Sequence, residues 1–191
     1  DKLDKLFEGV SLIGDYSVKI QDQILAQGEV LSAKLVVFLL NQKGISAKLA
    51  DTRELIITDS NFGDAQPLDT ISKKNIIQIF KENKDSVLVI TGFIGSNAKN
   101  ETTTLGRNGS NYTASLIANY INAEELQNFT HVDGIYTANP ELVLDAKKIE
   151  SLSYSEANEM ANFGANILHA KTIIPLLDKN IPLRILNTFN Y

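Results

Sequence analysis

Apolar residues first recur along this chain at helical spacing. Residues 1–10 and 16–43 carry them three or four positions apart, as Leu31, Leu35, Phe38 and Leu39 show, and this pattern predicts amphipathic helices. Gly44 is placed to cap the second stretch, and the Gly28-Glu29 pair predicts a break that divides it in two. Residues 47–50 and 55–58 read as short strands. Beyond Pro67 and Asp69 a helix is expected, with Ile76, Ile77 and Phe80 on one side. The period then changes. Residues 86–91, SVLVIT, form a β-branched run stopped by Gly92, which predicts a buried strand. Ala114, Ile117, Ala118 and Ile121 mark one face of a further helix. Residues 125–130 read as a strand, 155–163 and 171–180 as helices, and 181–187 as a closing strand. Strands alternating with helices over short connections predict an α/β fold, its sheet mostly parallel and covered on both faces. With no internal repeat or linker, one domain over residues 1–191 is expected.

Composition removes several classes of function. The chain has 43% apolar and 21% charged residues, as folded globular proteins do. Its 18 basic residues against 23 acidic ones give a net charge of −5, which argues against a general nucleic-acid binder. Without cysteine there is no disulfide, zinc-thiolate site or thiol nucleophile. The longest unbroken apolar run, residues 35–40, is shorter than the roughly 20 residues of a membrane span. A cytoplasmic protein with no membrane partner is therefore expected. The chain starts at Asp1 and its one methionine is Met160, so a fragment of a longer protein is expected. Asn-x-Ser/Thr triplets at Asn100, Asn108, Asn111 and Asn128 are read as chance occurrences in an Asn-rich chain.

The candidate chemistry follows the strand at 86–91, because open α/β folds bind ligands beyond the carboxyl ends of their strands. That strand runs into Gly92-Phe93-Ile94-Gly95, and the polar loop beyond it ends in Gly106-Arg107-Asn108-Gly109-Ser110-Asn111 where a helix begins. Glycines let a backbone approach an anion, and free N–H groups at a helix start attract it. Ser110 or Asn111 is expected as the N-cap, and Arg107 offers a fork of donors suited to a carboxylate or phosphate. The stretch is neither a P-loop nor a G-x-G-x-x-G turn.

These residues carry a resemblance. Gly92-Phe93-Ile94-Gly95 followed by Thr102-Thr103-Thr104-Leu105-Gly106-Arg107-Asn108-Gly109-Ser110 is similar to the signature of aspartokinases in the amino acid kinase family. Val132-Asp133-Gly134-Ile135-Tyr136-Thr137, Glu156-Ala157 with Glu159-Met160-Ala161, Phe163-Gly164-Ala165 and Ile167-Leu168-His169 match in order, and Gly28-Glu29 with Ser32 resembles the family's substrate-contacting helix. Asn108 and the stretch 181–188 look most like the kinase part of bifunctional aspartokinase/homoserine dehydrogenases. The resemblance implies a three-layer αβα amino acid kinase fold with a mostly parallel central sheet, truncated at its N-terminus. It also implies phosphoryl transfer from Mg-ATP to the β-carboxylate of L-aspartate, by a homo-oligomer. A carboxylate is ionised at neutral pH, so no general base is required; the site must align two anions and neutralise the charge between them. By resemblance, Arg107 pairs with the substrate α-carboxylate, Glu29 holds its amino group, and Phe93 and Ser110 line the pocket, with Asn111 beside them. Thr130, His131, Tyr136, Asn139, Pro140 and Asn166 fall at the nucleotide positions. No residue set is expected to bind metal by itself; magnesium arrives with ATP.

The chain also departs from the family. No Lys-x-Gly-Gly occurs, so the first strand and its phosphate-neutralising lysine are missing. Asn111 and His131 replace aspartates, Asn139 and Glu141 replace an Asp and an Arg, and Asn166 replaces a lysine. Two alternatives stay open: a kinase of another small substrate (glutamate, acetylglutamate or a nucleoside monophosphate), and a non-catalytic binding or dimerisation domain.

Overall fold

The computed structural model describes residues 2–139, 142–162 and 170–190, in two compact units, Asp1–Thr113 and Ala114–Tyr191. The first unit begins with helices α1 (Lys2–Ile13) and α2 (Val18–Gln42). Ser17 caps α2, its hydroxyl accepting the N–H of Ile20. At the other end Gly44 takes φ +77°, the Gly44 N–H donates to Asn41 O and the Ile45 N–H to Leu40 O. These are the two bonds of a Schellman stop, so the expected terminator is in place.

The expected break at Gly28-Glu29 is not there; α2 is one helix of 25 residues. A helical glycine costs about 1 kcal/mol, and burial of Ala26 and Val30 against Ile94 on either side offsets it. By length and composition alone α2 could cross a membrane, with a stretch of mean hydropathy 1.5. The unbroken-run criterion missed this because Gln27, Glu29, Ser32 and Lys34 interrupt the apolar residues. Its buried stripe is Asp22, Ala26, Val30 and Ala33, while Leu31, Leu35, Phe38 and Leu39 are exposed.

After α2 come β1 (Ala47–Ala50), α3 (Thr52–Leu55), β2 (Ile57–Thr58), α4 (Asp69–Glu82), β3 (Val87–Ile90), β4 (Ile94–Asn97), β5 (Thr102–Thr104) and α5 (Gly109–Ile121). β1 and β3 pair in parallel, Ala47 opposite Val87. β2 pairs in parallel with β4, and β4 antiparallel with β5. Residues 55–58 are only half strand, because Asp51 caps a turn of helix that ends at Leu55. The polar loop expected before Gly106 instead holds the β4–β5 hairpin. Period counting missed it because its interior is hydroxylated rather than apolar. The Thr58 and Thr103 hydroxyls bond at 2.8 Å, those of Thr52 and Thr91 at 2.7 Å, and the Ser96 hydroxyl donates to Arg53 O.

The second unit contains β6 (Leu126–Thr130), β7 (Ile135–Tyr136), β8 (Lys148–Ile149), α6 (Tyr154–Asn162), α7 (Ala170–Leu177) and β9 (Leu183–Asn187). β6 and β9 pair in parallel from Leu126–Leu183 to Thr130–Asn187, so their carboxyl ends coincide. The β7–β8 hairpin is antiparallel and was not expected from the sequence, its strands being two residues each. Ala118, Leu176 and Ile181 form one core cluster with Leu126 and Leu183, and Ala157 and Ile173 another. Parallel pairing of strands separated by helices gives the α/β class expected.

Candidate functional site

β3 ends in a tight turn in which the Ile94 N–H donates to Gly92 O at 2.7 Å and Phe93 sits at φ +68°. A bulky residue in that region is strained, and such strain persists only where its surroundings over-determine it. Here they do. The Phe93 N–H donates to Thr113 Oγ1, that hydroxyl donates to Gly109 O, and Phe93 O accepts the Leu105 N–H at 2.8 Å. The ring packs on the cluster of Ala26, Val30 and Ile94, against the turn of α2 that carries Glu29.

The second wall is the turn from Leu105 to Asn108. Gly106 takes φ +75°, and a methyl group there would lie 2.3 Å from Asp64 Oδ1. Asn108 O accepts the Tyr112 N–H, the first helical bond of α5. The cap position therefore falls at Asn108, and Ser110 and Asn111, expected there, stand inside the first turn of the helix, two and three residues past it. The free amides and partial positive charge of a helix start remain beside them. Gly92 backs directly on Ser110, whose Cα would be 3.0 Å from an added methyl. Burial pushes the Tyr112 phenol up, and the Asp69 and Asp64 carboxylates add to the shift. Arg107 is exposed and makes no ion pair with the described residues, while Glu29 is half-buried. Phe93, Gly109 and Ser110 thus meet at one strand-end turn, with Arg107 on the loop that leads into it, Asn111 next after Ser110, and Glu29 on the helix whose Ala26 and Val30 the Phe93 ring packs against.

Sequence reasoning missed Asp22. Its carboxylate is 1% exposed and accepts the N–H groups of Gly63 and Thr104 and the hydroxyl of Thr104. The available signal was its position: Asp22 continues the stripe of Ala26, Val30 and Ala33, where a charge is out of place without partners.

In the second unit, Thr130 and His131 lie at the shared carboxyl end of β6 and β9, where α/β folds bind ligands. Thr130 O accepts from the Thr188 N–H and hydroxyl. The Asn187 amide donates to His131 O and to Asp133, and with Asn190 it holds the Asp133 carboxyl below the usual range. His131 is exposed, Tyr136 is half-buried on β7, and Asn139 O accepts the N–H groups of Leu142 and Val143. Pro140 and Asn166 lie outside the described residues, as do Glu141 and the 163–169 blocks. A cleft of about 640 Å³, lined by Ile135, Lys148, Tyr154, Ile173 and Leu183 among others, is bordered by none of Thr130, His131, Tyr136 or Asn139. Among the described residues no three His, Asp or Glu side chains cluster as metal ligands.

The chain is an α/β fold in which a parallel strand runs into a glycine-bounded turn at a helix start. The profile of the amino acid kinase family matches residues 7–187, and the chain belongs to that family. It is 34% identical over 189 residues to the lysine-sensitive aspartokinase 3 of Escherichia coli, covering 96% of this chain and 42% of the relative. It is 35% identical to the chloroplastic bifunctional aspartokinase/homoserine dehydrogenase 2 of Arabidopsis thaliana, covering 98% of this chain and 21% of the relative. The crystal structure of E. coli aspartokinase III in complex with aspartate and ADP superposes with a TM-score of 0.88 at 33% identity, over 97% of this chain and 43% of that one. The chain thus spans less than half the length of these relatives.

Proposed function

We propose that the chain carries the catalytic face of an aspartate kinase, which passes the γ-phosphoryl group of Mg-ATP to the β-carboxylate of L-aspartate. The observation that supports this most is its likeness to the structure with aspartate and ADP, together with the close approach of Gly92 to Ser110 and of Gly109 to Phe93 at one turn. On this reading Glu29 takes the substrate ammonium and Arg107 clamps its α-carboxylate through two parallel hydrogen bonds. The α5 start, with Ser110 and Asn111, faces the reacting carboxylate and stabilises charge there. Thr130, His131, Tyr136, Asn139, Pro140 and Asn166 hold the nucleotide, whose phosphates bring the magnesium. When bound, ATP supplies the phosphoryl group and the magnesium its neutralising charge; the side chains align and orient. Self-association, a cytoplasmic location, and dehydrogenase or regulatory segments elsewhere in the protein belong to the same reading.

The departures at Asn111, His131, Glu141 and Asn166 favour a second reading, a kinase-like domain that binds without turnover. Hydroxamate capture of aspartyl phosphate by the complete protein separates the two. Product above background supports the kinase. Calorimetric binding of ATP and aspartate without product supports the second reading, and turnover of glutamate or a nucleoside monophosphate in place of aspartate would overturn the substrate assignment. The 191-residue chain alone, without a Lys-x-Gly-Gly segment, is expected to give no product.

A further inference from the structure

Among the described residues Asp22 is the charged group most completely enclosed, 1% exposed on a helix whose other buried residues are alanine and valine. We propose that Asp22 is a positioning residue for the amino-acid substrate, fixing the spacing between Glu29 on its own helix and Arg107 on the loop opposite. The proposal rests on the reading of those two residues as the substrate's charge partners.

Three donors converge on this carboxylate. Oδ2 accepts the N–H groups of Gly63 at 2.9 Å and Thr104 at 3.0 Å, and Oδ1 accepts the Thr104 hydroxyl at 2.7 Å. Thr104 in turn accepts the Ala65 N–H on its carbonyl at 2.8 Å, so the segment 63–65 and the end of β5 are joined at Asp22. From that junction the chain passes through Leu105, whose N–H is held by Phe93 O, and through Gly106, against which Asp64 packs, to Arg107. The Arg107 backbone is therefore built outward from Asp22. In the other direction, Asp22 and Glu29 are seven residues apart on one unbroken helix, close to two turns and about 10 Å of rise. A free amino acid carries its ammonium and α-carboxylate on one carbon, so their two partners must be held at a set separation. An error of about 1 Å there has a large effect on a positioned substrate. An alanine in its place would leave all three donors without this partner, whereas an asparagine can turn its oxygen to the two N–H groups and its own N–H to the Thr104 hydroxyl, which accepts as well as donates.

The test uses the complete protein and calorimetric dissociation constants for L-aspartate and for ATP. Asp22→Ala is expected to weaken aspartate about tenfold or more while ATP stays within about twofold, and Asp22→Asn, which can keep the three contacts, is expected to weaken it less. Thr104→Val, which removes the hydroxyl donor and keeps both N–H bonds, is expected to weaken aspartate severalfold. Thr104→Ser is expected to bind like the parent, and this rescue is one that loss of overall stability alone would not produce. If Asp22→Ala does not fold, the Thr104 pair decides. Equal weakening of both ligands, or a lowered melting temperature with aspartate binding intact, would overturn the proposal. Arg107→Lys separates this from the underlying reading. If it weakens aspartate selectively while Asp22→Ala and Thr104→Val do not, the reading stands and the positioning role falls. If Arg107→Lys leaves aspartate binding unchanged, the reading falls and the positioning role with it.

Discussion

Replacing Phe93 by alanine and, separately, by glycine tests whether the strand-end turn is strained. Both variants lose the ring from the cluster of Ala26, Val30 and Ile94. That common loss is about 2 kcal/mol, below the ~3–5 kcal/mol of a fully enclosed phenylalanine because this ring is only partly buried. The difference between the variants isolates the backbone. At φ +68° an L-residue carries about 1–2 kcal/mol of left-handed strain that glycine escapes. Glycine meanwhile loses about 0.5–1 kcal/mol more conformational entropy on folding. Taking one from the other, Phe93→Gly is expected to be more stable than Phe93→Ala by about 0.5–1 kcal/mol. At an ordinary position the order is reversed. Urea unfolding of the two variants, with matched slopes, measures the difference directly. Alanine equal to or more stable than glycine would refute the strain. It would also remove the argument that Phe93 is held in place by Thr113, Leu105 and Gly109 rather than resting there.

Arg107→Lys in the complete protein is expected to weaken aspartate about tenfold or more and ATP little, since lysine presents a point charge in place of a fork; calorimetry with each ligand checks it, and equal losses would place Arg107 on the phosphates. Asn111→Asp puts an anion in the first turn of α5, which is expected to raise stability by about 0.3–1 kcal/mol. On the proposed reading phosphorylation is expected to fall or stay unchanged, because added negative charge beside the γ-phosphate is repulsive; a clear gain of kinase activity would show that the site has decayed from an aspartate-bearing one. Burial opposes ionisation of Asp51, but the hydrogen bonds and charge of Arg53 outweigh it and hold the carboxyl below its ordinary value. Its contribution is therefore present above the normal carboxylate range of about 4 and lost as pH falls through the lowered value. Arg53→Met is expected to move the acid-unfolding midpoint to higher pH, followed by circular dichroism; an unmoved midpoint would mean the pair contributes nothing.

How much of this protein could be read from its sequence depended on whether a segment is stabilised by apolar burial or by polar groups. The run at 86–91 and the stretch 125–130 became β3 and β6 because their apolar residues carry the pattern that period counting registers, although β3 is half-buried rather than enclosed as expected, with Val87 exposed, and Phe129 of β6 is exposed too. The β4–β5 hairpin is more deeply buried, yet apart from Ile94 its enclosed side chains are Ser96, Asn97, Thr103 and Thr104, with Thr103 bonding to Thr58 of β2 and Ser96 to backbone. Such residues carry the same letters as a solvated loop. Gly28-Glu29 misled in the opposite sense: locally it is a helix breaker, and only the packing of Ala26 and Val30 on Ile94 carries α2 through it.

The candidate site divides along the same line. The turn that holds Phe93 and Ser110 was legible because its glycines have positional meaning, and Gly92 and Gly106 do make the close approaches that such spacing requires. Asp22 was not, because its partners Gly63 and Thr104 lie 41 and 82 residues away and nothing local announces them. One ionised group enclosed on an apolar stripe costs too much to be accidental unless donors meet it. A charge interrupting a buried helical face is therefore a signal in its own right, and it points to the contact that ties that helix to the rest of the site.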